Sequence, residues 1–95
     1  MSDGSDINLL VLDMLKPHKP SILMFGEALK DVGDDCSVNL RVIEVDEKTE
    51  SVEIIIKGRN LDFDKANAAI TELGGTIHSI DEVCIGPTVV RSDQT

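Results

Sequence analysis

Aromatic side chains are almost missing from this chain: Phe25 and Phe63 are the only two, with no tryptophan or tyrosine in 95 residues. The core must therefore be aliphatic. The same scarcity argues against recognition of RNA by stacking, which places aromatic and basic residues on the central strands. Bases are also few, nine against eighteen acids, for a formal net charge of −9. A surface of that sign repels phosphate backbones and anionic lipid, and attracts cations. Nucleic acid and membrane are not the expected partners. No apolar run approaches the roughly 18 residues a membrane span needs. Residues 1–6 are too polar and acidic to open a signal peptide. The expectation is a soluble, cytoplasmic protein.

Cysteine is equally sparse. Cys36 and Cys84 stand far apart and form no Cys-x-x-Cys pair, so they read as small apolar residues rather than redox or metal ligands. There is no phosphate-cradling Gly-x-x-x-x-Gly-Lys and no convincing Ser/His/Asp or Cys/His arrangement. The turn Asp46 to Glu50 lacks the Asp-x-Asp-x-Asp-Gly spacing of a calcium loop. Binding is favoured over catalysis.

What the chain does have is a two-sided apolar strand. Over Ile7 to Leu15 the side chains of Leu10, Leu12 and Met14 point one way, and Ile7, Leu9, Val11 and Leu15 the other. A half-buried strand alternates apolar with polar, so this one belongs at the centre of a sheet. Pro17 and Pro20 end it. Ile22, Phe25, Leu29 and Val32 then recur at helical spacing behind a Ser21 cap, with Gly33 as a left-handed stop. Ser37–Asp46 and Ser51–Gly58 read as a hairpin, with Asp46 opposite Ser51. In that register Ile43 and Val45 share the core face with Val52 and Ile54, and Glu44 stands opposite Glu53. Asp62 caps a second helix over Phe63, Ala66, Ala69, Ile70 and Leu73, closed by Gly74 and Gly75. Thr76–Gly86 is a fourth strand with an uneven pattern that suggests a bulge. Val89 and Val90 continue along an edge.

The order β-α-β-β-α-β with right-handed crossovers gives an α+β ferredoxin-like plait, with a four-stranded antiparallel sheet and two helices on one face. One domain spans 7–90, between disordered tails at 1–6 and 91–95. Leu9, Val11, Val42 and Ile55 fall on the face without helices. That apolar face calls for a second copy of the chain to cover it.

Three blocks now bear on family: Leu12-Asp13-Met14-Leu15-Lys16-Pro17-His18-Lys19-Pro20-Ser21, the hairpin from Val42 to Val52, and Leu73 to Val83. Together they resemble the uncharacterised, largely archaeal domain-of-unknown-function family 211, from about Asn8 to about Val90. The resemblance implies a ferredoxin-like fold and self-assembly into rings or larger homo-oligomers. It implies no reaction. The tails and the loop around Cys36 depart from the pattern.

Two groups of residues are candidate sites. Lys16, His18, Lys19 and Ser21 surround a strand–helix loop, and two lysines, an imidazole and free backbone N–H groups suit a phosphate or carboxylate. The alternative is a stiff turn with solvated bases. Asp13, Glu44, Glu53 and His78 fall at one end of the sheet, where opposed carboxylates repel unless a cation neutralises them. Oxygen ligands suit calcium or magnesium, and His78 extends the choice to zinc. The alternative is acids that are solvated or paired with Arg41, Lys57 or a neighbouring subunit. The functional expectation is a homo-oligomeric binding module of regulatory type, holding a small ligand or divalent cation at subunit boundaries. A small enzyme with a site between subunits and a purely structural oligomer are the alternatives.

Overall fold

Apolar side chains on both sides of one strand demand the middle of a sheet, and β1 (Ile7–Pro17) sits there. The structure, a computed structural model, describes residues 6–87. Of the expected tails at 1–6 and 91–95, all but Asp6 lie outside the described residues, as does the continuation through Val89 and Val90; the Asp6 carbonyl accepts from the Gly86 N–H at 2.9 Å. After β1 come α1 (Ile22–Leu29), β2 (Asp34–Val45), β3 (Thr49–Arg59), α2 (Phe63–Glu72) and β4 (Thr76–Ile85). The four strands form one antiparallel sheet in the order β2-β3-β1-β4. This is the ferredoxin-like plait.

Leu10, Leu12 and Met14 of β1, with Val52, Ile54 and Ile56 of β3, make the sheet's side of the main core. Phe25 and Leu29 of α1 and Ala66 and Ile70 of α2 close over them. Local chemistry sets the helix ends. Ser21 accepts a hydrogen bond from the Leu23 N–H at 3.2 Å, and Asp62 accepts one from the Lys65 N–H at 3.1 Å. At the end of α2, Gly74 adopts φ +91°. The Gly74 and Gly75 N–H groups return to the Thr71 and Ile70 carbonyls at 3.0 and 2.9 Å, satisfying acceptors the helix leaves open.

Several expectations need correction. Gly33 is no left-handed stop, since α1 already ends at Lys30. It is required by close approach, because a Cβ there would lie 2.5 Å from Leu61 Cδ2 and 2.9 Å from the Arg59 carbonyl oxygen. The hairpin register is also different. The tight turn runs from Asp46 to Thr49, with Asp46 N–H donating to the Thr49 carbonyl at 2.8 Å. A shift between Val42 and Glu44 then sets Val42 opposite Val52, Leu40 opposite Ile54 and Val38 opposite Ile56. Val38, Leu40 and Val42 therefore face the core side and Val42 leaves the helix-free face, while Val45, opposite Glu50, keeps the side expected of it. That extra residue is a β-bulge at Ile43. The unevenness of β4 is likewise real, with register shifts against β1 at three places.

The helix-free face differs too. Leu9, Val11 and Cys84 are already buried within one chain, with Ile55 packed beside them. They do not form the open patch expected there. Apart from Leu15, which is 40% exposed on that face near the end of β1, the large exposed apolar side chains lie at the sheet's two edges. Val42, Ile43 and Val45 of β2, beside Leu23 and Met24 of α1, mark one side, and Ile80, Val83 and Ile85 of β4 mark the other. Cys36 and Cys84 are not joined in a disulfide, and they belong to the clusters on opposite faces of the sheet.

Candidate functional site where the first loop meets the hairpin turn

Alternation along β1 carries Lys16 to the same side as Leu12 and Met14, under α1. Its side chain is fully buried, with Nζ 5.7 Å from the centre of the Phe25 ring. A buried ammonium is costly unless paired. Cross-strand pairing supplies the partner: Lys16 lies opposite Glu50 of β3, and Nζ donates to Glu50 Oε1 at 3.0 Å and to the His18 carbonyl at 3.3 Å. The other carboxylate oxygen, Oε2, is 3.1 Å from His18 Nδ1. His18 Nε2 lies 2.9 Å from the Glu47 carbonyl oxygen. One carboxylate thus gathers a buried lysine and a half-exposed histidine, and fastens the β1–α1 loop to the hairpin turn.

The electrostatics follow from these contacts. The hydrogen bond to Glu50, then the one to the Glu47 carbonyl, holds the His18 imidazole above its ordinary value of 6.5, against a smaller opposing effect of burial. The hydrogen bonds from His18 and then Lys16 hold the Glu50 carboxyl below its ordinary 4.5.

Of the four residues singled out for an anion, Lys16 and His18 converge, but on Glu50. Ser21 is the cap of α1, and Lys19 is exposed and precedes a cis peptide to Pro20. Glu50 and the Glu47 carbonyl were missed from sequence because they reach the loop only through the β1–β3 register. The hint was an acid at the hairpin turn, a strand away from a lysine that alternation would bury.

The acids are arranged differently from the expected register. Asp13 lies directly opposite Glu53, while Glu44 lies opposite Ser51. Arg41 faces Glu53 across the hairpin and donates to its Oε1 at 3.1 Å. Asp13 and His78 line one depression of about 170 Å³ with Met14, Leu15 and Ser51. Among the described residues, no group of three or more His, Cys, Asp or Glu side chains is placed to hold a metal ion. No helix among them is long and apolar enough to cross a membrane.

Comparison with known proteins bears on the whole chain. The family model for the domain-of-unknown-function family 211, described as "Uncharacterized ArCR", matches residues 8–95. "Uncharacterized protein MJ0319" of Methanocaldococcus jannaschii is 45% identical over 89 residues, which cover 94% of this chain and 92% of that protein.

Proposed function

The chain belongs to that family, and from this premise we propose that it is a homo-oligomeric binding module whose copies join edge to edge. The observation that carries the reading is the pair of unlike apolar edges. Ile80 and Val83 stand opposite Leu12 and Leu10 of β1, so they share the helix-bearing side of the sheet, yet about half of each is exposed. At the other edge, Ile22, Leu23, Gly26, Val38 and Leu40, together with the ion-paired Glu27 and Lys30, line a groove of about 330 Å³ between α1 and β2. Side chains standing out from one edge have a receptive groove at the other.

Unlike surfaces that fit each other make a heterologous contact, which closes into a ring or runs on as a filament. Burying one large aliphatic side chain contributes about 1.5–3 kcal/mol before the costs of association. Three on β4 meeting the groove are enough to offset a substantial part of those costs. The described residues of one chain gather no metal-ligating group. On this reading a small ligand or cation is held where two copies meet, and its site is completed by the neighbour. That division of a site between copies suits a regulatory module, since ligand and assembly then stabilise each other.

Sedimentation at micromolar concentration tests the reading. The native chain should show no substantial monomer, and Val83→Asp and Leu23→Asp should each release monomers. Mixing the two variants should give a one-to-one dimer, because each retains the edge the other lacks. A native monomer sinks the proposal. Variants that stay apart when mixed would show that the contact is not heterologous.

A further inference from the structure

Both ring nitrogens of His18 face oxygens that only accept: Nδ1 meets the Glu50 carboxylate and Nε2 the Glu47 carbonyl. A neutral imidazole carries one N–H, so it can donate to one of them and must turn a lone pair toward the other. Only the imidazolium satisfies both. We propose that His18 is a proton-operated clasp, which ties the β2–β3 turn to the β1–α1 loop when protonated and loosens it when the proton leaves.

The surroundings agree. The charged groups facing the ring are Glu50 from β3, which favours the proton, and Lys16 from β1, which opposes it. Glu50 prevails because it is hydrogen-bonded to the ring directly, while its other oxygen already accepts from Lys16. The folded-state pKa lies above the ordinary 6.5. The clasp therefore contributes fully below 6.5, and its contribution is lost as pH rises through the folded value. Glu50, held below 4.5, is ionised while His18 loses its proton.

The turn that His18 fastens joins β2 to β3, and β2 carries the exposed Ile43 and Val45. On the proposed edge-to-edge reading, and resting on it, proton loss loosens the end of the strand whose Val38 and Leu40 line the receiving groove, and weakens assembly as pH rises.

The test is a histidine titration by NMR on the full chain, with amide exchange in the hairpin turn followed between pH 6 and 8. His18 should titrate above 6.5, and the amide shifts of Asp46 to Glu50 should move with the same midpoint. Protection in the turn should fall beyond the intrinsic increase of exchange with pH. In His18→Gln the midpoint should vanish from the turn amides while the fold persists. A second variant, Glu50→Gln, should bring the His18 midpoint down. A His18 midpoint at or below 6.5, or turn amides that ignore it, overturns the clasp. Sedimentation across the same range separates the coupling from the assembly reading. A monomer at every pH defeats the assembly alone, and an oligomer unchanged from pH 6 to 8 defeats the coupling alone.

Discussion

β1 and β2 are of similar length, 11 and 12 residues, and both are rich in aliphatic side chains, yet they have opposite fates. Leu10, Leu12 and Met14 of β1 are buried to within 1%, while Ile43 and Val45 of β2 are 55% and 62% exposed. Composition does not separate them. Position does: β1 pairs with β3 on one side and β4 on the other, whereas β2 has a partner on one side only. The central strand's apolar residues hold one chain together. Val38 and Leu40 of the edge strand pack against that core, but Ile43 and Val45 have no comparable role within it, which is why the edges, not the open face, support the assembly reading.

The largest effect should come from cutting into the central strand. Leu12→Ala removes a fully buried side chain and should cost about 2–5 kcal/mol. Ile43→Ala on the edge should change stability by no more than about 0.5 kcal/mol. Urea unfolding, with Val83→Asp present in both so that association does not contribute, makes the comparison. Similar losses at the two positions would mean that β2 is packed within the chain after all.

The same contrast explains what could be read from sequence. Apolar residues on both faces of β1 placed it at the centre without any knowledge of register. The Asp62 cap and the Gly74 stop were legible because a side-chain acceptor and a left-handed backbone are local requirements. The hairpin register was not. Its turn, Glu47-Lys48, carries no Asn-Gly or Asp-Gly signal to fix the pairing, and two adjacent apolar residues, Val42 and Ile43, permit alternation in either frame. The bulge resolves that conflict, and a one-residue slip reverses every face. Site residues shared the same fate. Lys16 and His18 stood out in their loop, but Glu50 joined them only across strands.

A second, smaller effect separates the glycines beside the two strands. A Cβ on Gly75 would come 2.9 Å from Phe25 Cε2 and 3.1 Å from Met14 Sδ of β1, inside the closed core. Gly75→Ala should cost about 1–3 kcal/mol. A Cβ on Gly26 would meet only the Leu40 Cδ1 of β2, at 3.1 Å, where the side chain is half-exposed and free to shift. Removing a glycine from the interior of α1 gains roughly 0.8–1.0 kcal/mol of helix propensity. Gly26→Ala should therefore be neutral or stabilising in thermal melts with Val83→Asp present, so that its place in the proposed contact groove does not contribute. A loss as large as that of Gly75→Ala would show that the β2 side is as tightly closed as the β1 side.

The smallest effect bears on the register itself. Asp13 of β1 faces Glu53, a like charge directly opposite, and Arg41 offsets it from the far side of Glu53. Such opposed pairs cost about 0.2–1 kcal/mol. Glu44 of β2 faces Ser51 and has no acid across from it. Asp13→Asn should therefore raise the urea midpoint at low ionic strength, and Glu44→Gln should leave it where it is. At 1 M salt the Debye length falls to about 3 Å, and the gain from Asp13→Asn should shrink. Had Glu44 stood opposite Glu53, the two substitutions would help alike, because each would remove one member of an opposed acidic pair. Equal stabilisation by both would therefore restore that pairing and remove the bulge at Ile43, whereas a gain confined to Asp13 fixes the acids to the strand at the centre.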